Sequence, residues 1–128
     1  MSLPRFTREM LQELNAELMI KIKAAKIDAI VADIYRAALL HAQVPVSHNH
    51  CKTSYHFFLA NPSAAFLSVE VQGILPTENM YLRNVTYGDV VEYHEEVLEK
   101  LRAPFPDCYI HYTPPSRHQV GNIIIDWT

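Results

Sequence analysis

Residues 7–43 form a stretch of 37 residues without glycine or proline, and this stretch constrains the fold more than any other feature of the chain. Pro4 precedes it and Pro45 follows it, so helix-breaking residues stand on both sides. Within it, apolar residues recur at intervals of three and four, which is typical of an α-helix with an apolar face. The stretch therefore predicts a long N-terminal helix over residues 7–42, with Thr7 as the capping residue of its first turn.

The apolar face of this helix shifts around the axis near residues 20–26. The first series consists of Leu11, Leu14, Leu18, Ile22 and Ala25, and the second begins at Ile20 and continues through Ile27, Val31, Ile34 and Ala38. Two structures fit the shift: one helix of about 54 Å, or two helices bent near residues 23–26. Because no breaker residue marks a turn there, the sequence favours one long helix.

The remainder of the chain predicts four strands and one further helix. Alternating and aromatic-rich segments indicate strands over residues 52–60 and 64–72, joined by an Asn-Pro-Ser turn into a hairpin. The pair Thr86 and Asp89 has the spacing of a capping box and opens a helix over residues 87–102. A second hairpin is predicted from strands 108–113 and 121–127. The fold class is therefore α+β, a single domain over residues 1–128 with the helices on one face of an antiparallel sheet.

The first predicted helix is too long for the predicted sheet to bury its whole apolar face. Strands of about 7 residues span roughly 23 Å, so a small sheet cannot cover a helix more than twice that long. If residues 7–22 project from the body, then Leu11, Leu14, Leu18 and Ile22 are candidate residues for binding a partner protein or a second copy. The alternative is that this first half folds back as a separate helix and is covered by its own chain.

Composition narrows the class of protein. Hydrophobic residues make up 49 % of the 128 residues, and the net charge of −3 is small, so a folded globular domain is expected. The mildly acidic balance disfavours a broad nucleic-acid surface. Two cysteines are too few for a disulfide framework, and no apolar run approaches the roughly 20 residues of a membrane span. These features predict a soluble, intracellular protein.

The densest polar cluster supplies the alternative function. His48, His50 and Cys51 lie in one connector and His56 follows in the next predicted strand; imidazole and thiolate are the side chains that bind zinc. The paired Cys-x-x-Cys spacing of structural zinc sites is missing, so no cofactor is the main expectation and zinc the alternative. On that alternative the protein is a small metal-binding protein or metal-dependent enzyme.

Four segments carry a resemblance to a known layout: residues 97–101 (VLEKL), 105–108 (FPDC), 123–128 (IIIDWT) and 52–55 (KTSY). In this order after a long helix, they resemble small α/β proteins encoded by large double-stranded DNA viruses and some phages. The resemblance implies a viral source and a virion-associated or host-interaction role, and it implies no catalytic residue. Together with the helix, it favours a non-enzymatic interaction or structural protein, such as a minor virion component or a host-factor binder.

Overall fold

The computed structural model describes residues 2–44, 52–70 and 84–128, and within them the chain has the predicted α+β architecture. The elements are α1 (Arg8–Ala42), β1 (Ser54–Phe58), β2 (Ala65–Ser68), β3 (Asn84–Thr86), α2 (Tyr87–Glu92), α3 (His94–Arg102), β4 (Tyr109–Thr113) and β5 (Asn122–Asp126). No helix in these described parts combines the length and hydrophobicity that crossing a bilayer requires.

The first helix is continuous. α1 contains 35 residues and is therefore about 52 Å long at 1.5 Å per residue. Thr7 caps it, because its Oγ1 accepts a hydrogen bond from the Met10 N–H at 3.2 Å. At the other end the Gln43 N–H points back to carbonyls of the last turn. The prediction of one long helix rather than two is confirmed.

The main sheet has three antiparallel strands in the order β1-β5-β4. β5 lies in the centre, and its Ile123 and Ile125 are fully buried. The same two residues stand opposite Phe57 and Tyr55 of β1, and opposite Tyr112 and Ile110 of β4. The C-terminal hairpin predicted from residues 108–113 and 121–127 is thus confirmed, with slightly shorter strands.

The first predicted hairpin, residues 52–60 with 64–72, is wrong in its pairing. The turn does form, since the Ala64 N–H donates to the Asn61 carbonyl at 2.9 Å. However, β1 pairs with β5, and β2 pairs with β3 in a separate two-stranded sheet. Residues 71–72 of the predicted strand lie outside the described residues. A turn sets only the local direction of the chain, whereas pairing with the central strand β5 places Phe57 beside the fully buried Ile123.

The second predicted helix, residues 87–102, consists of two short helices. Its start is confirmed: Thr86 and Asp89 form a reciprocal capping box at the beginning of α2. The helix is interrupted at Tyr93, whose φ of −104° and ψ of 17° are not helical. Beside the interruption, the His94 Nδ1–H donates to the Val91 carbonyl at 2.7 Å, and the His94 ring stacks on Tyr112. No breaker residue signals this interruption in the sequence.

The hydrophobic core lies between the helices and the inner face of the three-stranded sheet. Residues from every described element except β2 are buried in it: Ile27, Ile30, Ile34, Ala38, Phe57, Val85, Val90, Val97, Leu101, Ile110, Ile123 and Ile125, with Leu59 just after β1. The α1 members of this core all lie after residue 26. The core therefore includes the second half of α1 and no residue of its first half.

Candidate interaction surface

The first half of α1 is exposed at every residue except Leu18. We call residues 8–21 the arm and residues 22–42 the docked half, because the first buried residue of the helix is Ile22. Leu11 is 55 % exposed and Leu14 is 51 % exposed, although both are large aliphatic residues. Met10 is also exposed and Leu18 is half-buried. The arm therefore carries apolar side chains in contact with solvent.

Four of the apolar side chains of the arm lie on a different side of α1 from Ile27 and Ile30, whereas Met19 and Ile20, which are also exposed, lie on other sides of the arm. Leu18 and Ile27 are nine residues apart, about two and a half turns, so they leave the helix on opposite sides. Leu14 and the buried Ile30 are separated by about 160° around the same axis. We call Met10, Leu11, Leu14 and Leu18 the arm stripe. A simple bend of the helix toward the sheet would not cover it.

Ile22 does not belong to this exposed surface. The sequence grouped it with Leu11, Leu14 and Leu18, but it is only 3 % exposed in this chain. It lies one turn after Leu18 on the same side of the helix, so this side of α1 is covered by the chain from residue 22 on. The candidate partner-binding set is therefore corrected to Leu11, Leu14 and Leu18.

A buried ion pair marks the junction between the arm and the docked half. Lys26 is 8 % exposed, and its Nζ lies 3.3 Å from Oδ2 of Asp89. The same carboxylate oxygen accepts the Thr86 N–H at 2.9 Å, so one oxygen serves both the capping box and the lysine. Because Asp89 stands in the first turn of α2, this pair ties α1 to the start of that helix.

Two exposed ion pairs join α1 to α3 further out. Lys23 lies 2.8 Å from Glu96, and Lys100 lies 2.7 Å from Asp28. The hydrogen bond and the charge of Glu96 together raise the pKa of Lys23. Between these pairs runs an open groove of about 290 Å³ with Ile20, Ala24 and Ile27 among its lining residues. Ile27 lies opposite Leu18 on the helix, so the groove and the arm stripe are separate surfaces.

A further exposed surface is the outer face of the three-stranded sheet. Phe58 on β1 and Tyr109 on β4 are 58 % and 66 % exposed. Across the middle of this face, His56, Ile124 and His111 occupy one row of the register. The His56 ring stacks against Phe58 with centroids 5.9 Å apart. This face is aromatic, in contrast to the aliphatic arm stripe.

One carboxylate lies beside the two histidines of this outer face. The pKa of Asp126 is lowered, first by the hydrogen bonds that it accepts from the Thr128 hydroxyl and N–H, and then by the nearby imidazoles. His56 itself lies within hydrogen-bond distance of the Ser54 hydroxyl, at 3.2 Å. The polar groups of this face thus bond mainly to their immediate neighbours in sequence.

The predicted zinc ligands are not brought together in the described structure. His48, His50 and Cys51 lie outside the described residues. His56 is exposed on the outer sheet face. Among the residues that the structure describes, no group of three His, Cys, Asp or Glu side chains is arranged to hold a metal ion. Zinc binding by the segment 48–56 stays a prediction.

Comparison of the chain with protein-family models, curated proteins and solved structures finds no match. Sequence reasoning identified three members of the arm stripe from their spacing but did not identify the outer sheet face. The alternation of residues 54–58 and 109–113 was the available signal for that face, since Phe58 and Tyr109 fall on the side away from the core.

Proposed function

We propose that this protein is a non-enzymatic interaction protein that binds another protein chain through the arm stripe. The observation that carries the proposal is that Leu11 and Leu14, two large aliphatic side chains on one side of the arm, are about half exposed. Leaving large aliphatic side chains in water costs free energy that a partner can recover, at about 25 cal/mol per Å² buried. Their alignment on one side makes them a surface rather than scattered exposed residues.

The spacing of the stripe supports a helical mode of binding. Leu11, Leu14 and Leu18 stand at i, i+3 and i+7, the positions with which an amphipathic helix fills an apolar groove or pairs with another helix. The side opposite the stripe carries Glu9 and Gln12, which stay in water when the stripe is covered. The arm is also continuous with the docked half, so its helix extends an existing one and needs no separate nucleus on binding.

The resemblance to viral and phage proteins gives this proposal a biological context. On that resemblance the protein is a minor virion component or a viral binder of a host factor, and its partner is a capsid-associated or host protein. The α+β body serves as the compact base that holds the arm. No catalytic role is assigned to any residue under this proposal.

Position-specific photo-crosslinking tests the proposal. A photoreactive phenylalanine analogue is placed at Leu11 or Leu14, and the matched controls carry it at Gln12 or Ala16 on the opposite side of the arm. In the cells that naturally make the protein, illumination should give a protein adduct from the two stripe positions and none from the two controls. If all four positions react equally, or none of them reacts, the arm stripe is not a binding surface.

A further inference from the structure

We propose that the groove between α1 and α3 binds a small apolar carboxylate, such as a saturated fatty acid of about eight to ten carbons. The groove has a volume of about 290 Å³ and is lined by Ile20, Lys23, Ala24, Ile27, Glu96 and Lys100. This binding is independent of the proposed function, because the groove and the arm stripe lie on different sides of α1. The floor, the size and the charges of the groove point to this class of ligand.

The floor of the groove is an apolar side of α1. Ile20 and Ile27 are seven residues apart, about two turns, so they lie on the same side of the helix with Ala24 between them. Ile27 is 3 % exposed and belongs to the core, whereas Ile20 is 68 % exposed. Ala24 is exposed, and its short side chain leaves open the space that a hydrocarbon chain fills.

The size of the groove suits a short hydrocarbon chain. From Ile20 to Ile27 the floor is about 10 Å long at 1.5 Å per residue. The volume of about 290 Å³ lies at the lower end of the range for small-molecule sites. It therefore accommodates a ligand of about ten non-hydrogen atoms and is too small for a nucleotide or a partner helix.

The rim of the groove carries more positive than negative charge. Lys23 and Lys100 stand against one carboxylate, Glu96, among the lining residues. Each lysine makes one ion pair: the Lys23 Nζ lies 2.8 Å from Glu96, and the Lys100 Nζ lies 2.7 Å from Asp28. Because an ammonium group has three N–H donors, each lysine retains donors for the carboxylate of a ligand.

Lys23 is held in position for such a contact. Its Nζ lies 5.4 Å from the centre of the Tyr93 ring, within the range of a cation–π interaction, in addition to its ion pair with Glu96. Its side chain is nevertheless 45 % exposed, so a ligand can reach it. A carboxylate therefore binds this ammonium group with little further loss of side-chain freedom, and a neutral chain of the same length lacks the contact.

Titration of the isotope-labelled protein with octanoate, followed by nuclear magnetic resonance, tests the proposal. Octanoate should shift the amide signals of residues 20–27 and 96–100, with half-saturation near about 1 mM. Octanol, the neutral chain of the same length, should bind about 3-fold more weakly, the size expected for an exposed ion pair. Octylammonium should bind more weakly still, because the rim repels a cation.

Substitutions separate the contributions of the floor and the rim. Ala24→Phe fills the groove and should weaken octanoate binding at least about 5-fold; Ala32→Phe is the matched control, since Ala32 is exposed on the same helix outside the groove. Lys100→Gln should weaken octanoate binding about 3-fold, whereas Glu96→Gln should tighten it about 2-fold by removing the competing carboxylate. Lys21→Gln, at an exposed lysine outside the groove, should bind octanoate like the wild type.

The substituted positions are exposed, so the variants should fold, and circular dichroism checks this. Equal affinity for octanoate and octanol, or wild-type octanoate binding by Ala24→Phe, overturns the proposal. A loss of octanoate affinity in Glu96→Gln does so as well. Signals that shift only in residues 8–18 would place the octanoate on the arm stripe, and the absence of any shift up to about 10 mM would leave the groove without this ligand; both results contradict the proposal.

Discussion

The two halves of α1 use similar residues at similar spacings and meet different surroundings. In the docked half, Ile30 and Ile34 are fully buried against the sheet and the short helices. In the arm, Leu11 and Leu14 are about half exposed. The difference is not in local helix propensity, since the helix is continuous across both halves. The difference in burial shows that an apolar repeat identifies the apolar side of a helix. Whether that side is buried depends on which other elements of the chain pack against it.

We expect the largest difference between the two halves of α1 in the hydrogen exchange of their backbone amides, measured in dilute solution. Amides of the docked half should be protected up to the free energy of global unfolding, about 5–15 kcal/mol for a domain of this kind. Amides of the arm should open with a free energy of only about 0–2 kcal/mol, because few tertiary contacts hold them. Mass spectrometry of peptides from residues 8–21 and 27–42 measures this. Equal protection in both segments would mean that the arm is covered by its own chain.

The second-largest difference between the two halves is expected in the loss of stability when a large side chain is truncated. Ile30→Ala creates a cavity in the core and should lower the free energy of unfolding by about 2–5 kcal/mol. Leu14→Ala, an equally large truncation in the arm, should change it by less than about 0.5 kcal/mol in the monomer. Urea denaturation at low protein concentration gives both values. Comparable losses for the two variants would contradict the distinction between the halves.

A substitution at Lys26, where the arm joins the docked half, should have an intermediate effect on the free energy of unfolding. Lys26→Ala removes the buried ammonium beside Asp89 and should cost about 1–3 kcal/mol, since the carboxylate then lacks its charged partner. Lys21→Ala is the matched control in the arm, where the lysine is exposed, and should be nearly neutral in the monomer. Thermal denaturation of both variants measures the difference. A neutral Lys26→Ala would mean that the pair does not hold α1 to α2.

The smallest effect is expected at the exposed ion pair between the docked half and α3. The Lys100 and Asp28 side chains are 52 % and 67 % exposed, so solvent screens their interaction. Lys100→Gln should lower the free energy of unfolding by at most about 1 kcal/mol, and most of that loss should vanish near 1 M salt. Urea denaturation at low and high salt measures it. A larger, salt-independent loss would indicate a packing role for the lysine stem along the groove.

The local features of the fold could be predicted because their causes are local. Thr7 and the Thr86–Asp89 pair cap helices through hydrogen bonds that span only three residues. The C-terminal hairpin follows from two alternating segments separated by a proline-rich loop. The pairing of β1 with β5 could not be predicted in this way, because Tyr55 and Ile125 are 70 positions apart and only burial decides between competing partners.

The candidate interaction surface could likewise be predicted only in part. Leu11, Leu14 and Leu18 were identified from their spacing, which is a property of the helix alone. Ile22 has the same spacing and yet is buried, which the spacing alone does not reveal. The aromatic outer face of the sheet was missed, since the side of a strand that faces solvent depends on where the helices pack.

By itself, the sequence predicted a helix over residues 7–42, favoured one helix over two, and showed that its apolar face shifts around the axis between the two halves. Backbone hydrogen bonds and the 3.6-residue repeat are sufficient for both properties. The tertiary structure decided which stripe is covered within this chain and where along the helix that covering begins. The physical reason is that burial is a relation between elements distant in sequence: the core that encloses Ile30 is assembled from strands and helices contributed by residues 57–125.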